Sequence, residues 1–142
     1  MSLRAGFAML KAIVPLALAL VAAPTPGADS TGAFMLGGGA GSVKCPQFVS
    51  VMEKGRSVGI GTVGYVNETQ GFTMYILGFQ SGYNLAASDT YDVFPGNAGD
   101  YPLLSWVENW CRSHAKARFG DGVVAMANVS HKKRQRAASE TK

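Results

Sequence analysis

The sequence predicts an all-α domain, a small bundle of about four helices closed by one disulfide between Cys45 and Cys111. Three observations predict it. Apolar residues recur at three- and four-residue steps in several separate stretches, the spacing of amphipathic helices. The chain has only two cysteines, each beside one of those stretches and both downstream of an export-type N-terminus. Removal of that N-terminus leaves 114 residues, enough for one domain and too few for two.

Residues 1–28 have the layout of a secretory signal. Arg4 and Lys11 supply positive charge, and an apolar run from Ala12 to Ala23 follows without a charged residue. About twelve apolar residues fall short of the roughly 20 needed to span a bilayer. Ala22-Ala23-Pro24-Thr25-Pro26-Gly27-Ala28 then offers small residues in a helix-free stretch, with cleavage expected after Ala28. The start is Met1 or Met9. No cysteine ends the apolar run, so a lipid anchor is not expected. The compartment implied is the bacterial periplasm or the outside of the cell, with no membrane span after cleavage. Such compartments favour disulfides. At this point an intermolecular bridge or a reactive thiol stays open beside the internal pairing.

Residues 29–42 include Leu36-Gly37-Gly38-Gly39-Ala40-Gly41-Ser42 and read as a flexible glycine-rich linker. They lack the Gly-Lys-Ser/Thr ending of a phosphate-binding loop. The domain proper is expected over 43–130. Cys45-Pro46-Gln47-Phe48 opens the first helix, with Pro46 in its first turn and Phe48, Val51 and Met52 on one face. It should stop near Gly55. Gly59-Ile60-Gly61-Thr62-Val63-Gly64 matches G-x-G-x-x-G, but Glu53, Lys54 and Arg56 stand where a dinucleotide fold needs a buried strand. Residues 55–66 therefore read as a loop or short extended piece, and no cofactor is implied.

The second helix is expected from Gly71 to Ala87. Phe72, Tyr75, Ile76, Phe79 and Tyr83 form its apolar stripe, a candidate surface for a partner or client. Gly78 and Gly82 lie four apart within it. Glycine costs about 1 kcal/mol relative to alanine inside a helix, so two of them predict close packing of another helix of the same domain on that face. Residues 88–102 read as a connecting loop. Asp89, Asp92, Asn97 and Asp100 in it lack the spacing of a calcium-binding helix-loop-helix. Asp100 and Pro102 suit the start of a third helix carrying Leu103, Trp106, Val107, Trp110, Cys111 and His114, which Phe119-Gly120 should end. Trp106 and Trp110 are expected in the core; exposed indoles would instead make a sugar platform. Asp121 is expected to cap a last helix carrying Val123, Val124, Met126 and Ala127.

Residues 131–142 read as a basic disordered tail, with Lys132, Lys133, Arg134, Arg136 and Lys142 against Glu140. Residues 29–130 hold six basic and eight acidic side chains, a net of −2, so the basic character of the chain lies in its tail. A body near neutrality, and a tail without interleaved aromatic residues, do not suit nucleic acid. Two histidines, His114 and His131, do not build a metal site. A Cys111–His114 nucleophile would need a free thiol. With no G-x-S-x-G and no pairing of carboxylates evident, an enzyme is not expected.

Met74-Tyr75-Ile76-Leu77-Gly78-Phe79-Gln80-Ser81-Gly82-Tyr83-Asn84 is similar to the "W-x-x-G-F-L-S-G-x-N" helix, and Trp106-Val107-Glu108-Asn109-Trp110-Cys111 to the "W-[VL]-x-x-Y-C" helix, of small proteobacterial periplasmic proteins. With Cys45 opening the first helix, residues 43–130 resemble the group of the HdeA and HdeB acid-stress chaperones and the Rap/Tai-type immunity proteins. The resemblance implies about four helices, a disulfide between the first and third, and often a homodimer. The chain departs from HdeA in having few charges and a glycine-rich lead-in. Its implied partners are unfolded clients, for an acid-stress chaperone, or one protein such as a secreted toxin, for an immunity protein. Full protonation of the carboxylates and His114 would take residues 29–130 from −2 to about +7, a self-repulsion that would loosen packing.

Overall fold

The structure is a computed structural model and describes residues 31, 34–96 and 100–138. The expected signal segment therefore lies outside the described residues. Four helices follow in order: α1 (Cys45–Val58), α2 (Val63–Ala86), α3 (Asp100–Ser113) and α4 (Phe119–Ser130), with single 3-10 turns at Gly39–Ser42 and His131–Lys133. The predicted all-α bundle is what forms. Cys45 and Cys111 are joined, S–S 2.07 Å, and tie the first turn of α1 to the last turn of α3. The joining leaves no thiol for a Cys111–His114 nucleophile. His114 instead stacks on Trp110, with ring centroids 4.0 Å apart, and its Nδ1 donates to the Trp110 carbonyl at 2.7 Å.

The helix ends follow local chemistry that composition obscured. Gln47 Oε1 accepts from the Lys44 amide, which fixes the start of α1 beside Pro46. α1 runs past Gly55 to Val58 and stops where Gly59 takes φ +99°, a conformation suited to glycine. α2 begins eight residues before Gly71, because Thr62 Oγ1 caps it by accepting from the Tyr65 amide at 3.2 Å. The expected loop over 55–66 shrinks to a tight turn, with a helix before the glycine motif rather than a strand. α3 ends at Ser113, short of Phe119-Gly120. α4 then begins at Phe119, and Asp121 sits in its first turn, its carboxylate reaching back to the Arg118 amide at 2.8 Å.

Three phenylalanines from three helices make the centre. Phe48 of α1, Phe72 of α2 and Phe119 of α4 have ring centroids 4.5–4.9 Å apart, and Tyr75 joins Phe119 at 5.7 Å. Leu103, Leu104 and Val107 close the core from α3. Trp106 and Trp110 pack against it half-buried rather than inside it. Beside the disulfide, the Cys45 amide donates to Ala117 O at 3.0 Å and the Phe119 amide to Val43 O at 2.8 Å, so the starts of α1 and α4 are pinned together.

Close packing at glycine occurs, but at other glycines. A Cβ on Gly78 or Gly82 would meet nothing within 4 Å, because both lie on the open side of α2 and no helix of the described residues packs there. The tight sites are Gly120, where a Cβ would lie 2.9 Å from Gly41 O, and Gly122, where it would lie 2.8 Å from Val107 Cγ1. Gly41 itself is buried beneath the Tyr75 ring. The end of the expected flexible linker is thus seated on α2 and α4. The basic tail is also not free through residue 138: it turns back along the loop after α2, as described below.

Glu108 of α3 is buried and clamps α1 to α3. Arg56 of α1 donates to both of its carboxylate oxygens at 2.6 and 2.8 Å, and Arg112 donates to it as well. Burial pushes the Glu108 carboxyl up, but the hydrogen bonds and positive charge of Arg56 and Arg112 outweigh it and hold the group below the usual glutamate range. A lowered folded value means stability that is present above the unfolded value and lost as pH falls through the folded one. Glu108→Gln is expected to cost about 2 kcal/mol at pH 7, less than a fully buried pair because both arginines also meet water. Denaturant melts of the two proteins should converge as the pH falls through the lowered folded-state value, where the wild-type residue is itself protonated.

Candidate binding groove

The last turns of α2, the start of α4's final turn and the chain on either side of them enclose a groove of about 590 Å³. Phe79, Tyr83 and Ala86 of α2 form one wall, and Val124 and Asn128 of α4 the other. Phe34 of the lead-in, Ala87, Ser88 and Asp89 of the loop, and His131 and Arg134 complete it. One half is therefore aromatic and aliphatic, and the other end is polar.

Helical spacing explains the apolar half: Phe79 and Tyr83 are one turn apart, with ring centroids separated by 5.9 Å. The predicted stripe is split by the fold. Phe72 and Ile76 point into the core and Tyr75 covers Phe119, so these three are not a surface. Only Phe79 and Tyr83 reach the groove. α2 is apolar on its outer side as well, where Met74 is 65% and Leu85 90% exposed. No helix among the described residues is long and apolar enough to cross a membrane.

The polar end is built by the docked tail. The Tyr91 and Asp92 amides both donate to Gln135 O, at 2.9 and 3.1 Å, and the Gln135 amide returns a bond to Asp92 O at 2.9 Å. Arg134 donates through Nε to Asp89 O at 2.8 Å and through Nη1 to His131 O at 3.0 Å, and its Nη2 pairs with the Asp89 carboxylate at 3.3 Å. Arg136 pairs with the same carboxylate at 3.1 Å. The Tyr83 hydroxyl and His131 Nδ1 are hydrogen-bonded at 3.0 Å across the groove floor. The loop is held from within: Asn84 Oδ1 accepts from the Val93 amide, and Asp92 Oδ1 accepts from Gln80 Nε2 and the Phe94 amide.

Asp89 is the one non-glycine residue with positive φ among the described residues, at +55°. Aspartate tolerates the left-handed region better than most residues, and strained positions of this kind concentrate at working sites. That turn aims the Asp89 carboxylate at the two arginines.

Sequence reading missed the groove, because it needs the tail and the loop to meet across 45 positions. The one signal was charge: a basic run over Lys132, Lys133, Arg134 and Arg136, and a loop over 88–102 that carries aspartates and no cation. In comparison with known proteins, no protein-family model, no curated protein and no solved structure matches this chain.

Proposed function

We propose that this is an exported, non-enzymatic binding module that recognises a protein partner, such as a secreted toxin it neutralises, and that the groove is its contact surface. The observation that carries this reading is that the groove is already open in the folded, oxidised domain, with aromatic walls and a polar end. Its volume lies in the range of clefts that hold ligands. A joined disulfide behind an export-type leader supports a place in the periplasm or outside the cell. Binding rather than catalysis is supported by how the groove's polar groups are spent. The Asp89 carboxylate is held by two arginines, so it does not face an open position as a poised base.

A second reading, an acid-stress holdase, is favoured by a different observation. Phe72 and Ile76 are buried and Tyr75 is partly covered in the folded state, so this stripe would meet a client only after loosening. Light scattering of an acid-sensitive enzyme at pH 2.5, with and without the protein, separates the two. The preformed-module reading expects superimposed traces, whereas suppression of aggregation moves the assignment to the holdase. The module reading also expects the product of a neighbouring reading frame to be toxic. Co-expression of this protein should restore growth, and the groove-filling variant Asn128→Trp should not.

A further inference from the structure

We infer that two copies of this chain pair through the outer face of α2, antiparallel and centred on Met74. This does not depend on the groove, which Phe79 and Tyr83 line from the core side of the same helix. Helical spacing brings Val63, Val66, Gln70, Met74, Leu77 and Leu85 to one side of α2, all exposed. Gly71, Gly78 and Gly82 run beside them, and a Cβ on any of the three would meet nothing within 4 Å. Glycine inside a helix lowers stability relative to alanine, and nothing in the described domain packs against these three to require it. The face is also uncharged. Glu68, the one charged residue of α2, pairs with Lys54 of α1 at 2.7 Å, and Asp100 of α3 stands at the rim beside Leu77, exposed to screening by water.

The order of these residues makes a second copy the occupant. Laid antiparallel about Met74, the face sets Val66 level with Gly82 of the second copy, Leu77 with its Gly71 and Gln70 with its Gly78. Each of these layers holds one large side chain beside bare backbone, so the side chains interlock and the helices approach closely. Val63 and Leu85 close the two ends. Two-fold symmetry repeats every layer on the other side of Met74, as a self-complementary interface demands. A parallel pair would instead set Val66 on Val66 and Gly78 on Gly78, bulk against bulk and gap against gap. Neutrality favours the same occupant, because near a two-fold axis any charge meets its own copy. The 24 residues of α2 extend about 36 Å, the full width of a small domain. Five large apolar side chains along that length, with the glycines and amides between them, offer roughly the 800 Å² per copy that a stable dimer buries.

Sedimentation of the oxidised protein at neutral pH tests this, with a monomer–dimer equilibrium expected at micromolar concentration. Met74→Glu sets like charges together at the axis and should weaken the dimer about a hundredfold, with the far-ultraviolet circular dichroism of the monomer unchanged. Gly78→Ala/Gly82→Ala guards against a merely misfolded variant. Alanine suits a helix better, so this change should raise the thermal midpoint of the dilute monomer while weakening the dimer about tenfold. A nitroxide on Val63→Cys reads the direction of pairing: the antiparallel dimer separates the two labels by about 33 Å along the helices, whereas a parallel one sets them side by side. A chain that stays monomeric at submillimolar concentration, a dimer indifferent to both variants, or adjacent labels would each overturn the inference. Flotation of the protein with phosphatidylcholine vesicles, abolished by Met74→Glu, would give the face to a lipid surface and overturn it as well.

Discussion

Phe119→Ala is expected to destabilise the domain by about 4 kcal/mol, the cost of a large cavity at a site that cannot collapse. Phe119 is fully buried, and the rings of Phe48, Phe72 and Tyr75 surround it from α1 and α2. Those neighbours cannot all close on the void. Gly120 and Gly122, directly after it, already bring α4 as near to Gly41 and to Val107 of α3 as backbone and side chains allow. Helices held at that distance relax little, so the transfer loss and the cavity loss both remain. For a domain of this size the midpoint of thermal unfolding should fall by about 20 °C. Circular dichroism melts of the oxidised variant and wild type check it. A shift below about 5 °C would mean that the aromatic cluster is not the centre of the core.

Removal of the disulfide is the other large effect. Cys45 and Cys111 are 66 positions apart, and closing a loop of that length restricts the unfolded chain enough to contribute about 4 kcal/mol. Both sulfur atoms belong to buried residues, so Cys45→Ala/Cys111→Ala is the cleaner variant, since serine would add buried hydroxyls. Urea unfolding of that variant, and of wild type with and without reductant, should give the same loss by either route. The effect should also couple to Phe119→Ala. The Phe119 amide bonds Val43 O two residues before Cys45, and contacts so close do not add independently. Unchanged stability on reduction would show that the seam between α1 and α3 stands on its packed core and on Glu108 with its arginines, without the disulfide.

The fold was legible where one face of a helix is apolar and the other polar. Phe48 and Met52, then Leu103, Val107 and Cys111, read directly as core positions, and they are buried. α2 was harder because it is apolar nearly all round. Spacing grouped Phe72, Tyr75, Ile76, Phe79 and Tyr83 on one side, but Met74, Leu77 and Leu85 on the other gave no contrast to show which side faces inward. Glycine was the second difficulty. Gly64 and Gly71 read as interruptions yet lie inside α2, where the Thr62 cap and the packing of Tyr65, Phe72 and Ile76 outweigh their low propensity. Gly78 and Gly82 attracted a packing role by their spacing, while Gly120 and Gly122 hold it. A glycine permits close approach, but the sequence does not say what stands opposite. The groove was the least legible part, since it is made by a segment whose composition resembles a solvated tail and whose partners are backbone groups and one carboxylate of a distant loop.

Everything proposed for the groove requires the basic segment to be its fourth wall. Amide hydrogen exchange of the oxidised protein at neutral pH, read at Tyr91, Asp92 and Gln135, tests that requirement directly. These three amides carry the bonds between loop and tail, and they should be protected well above the rates of an open chain. Exchange at open-chain rates in all three, with the amides of α1 and α3 still protected, would contradict it and leave Phe79 and Tyr83 on an unbounded surface.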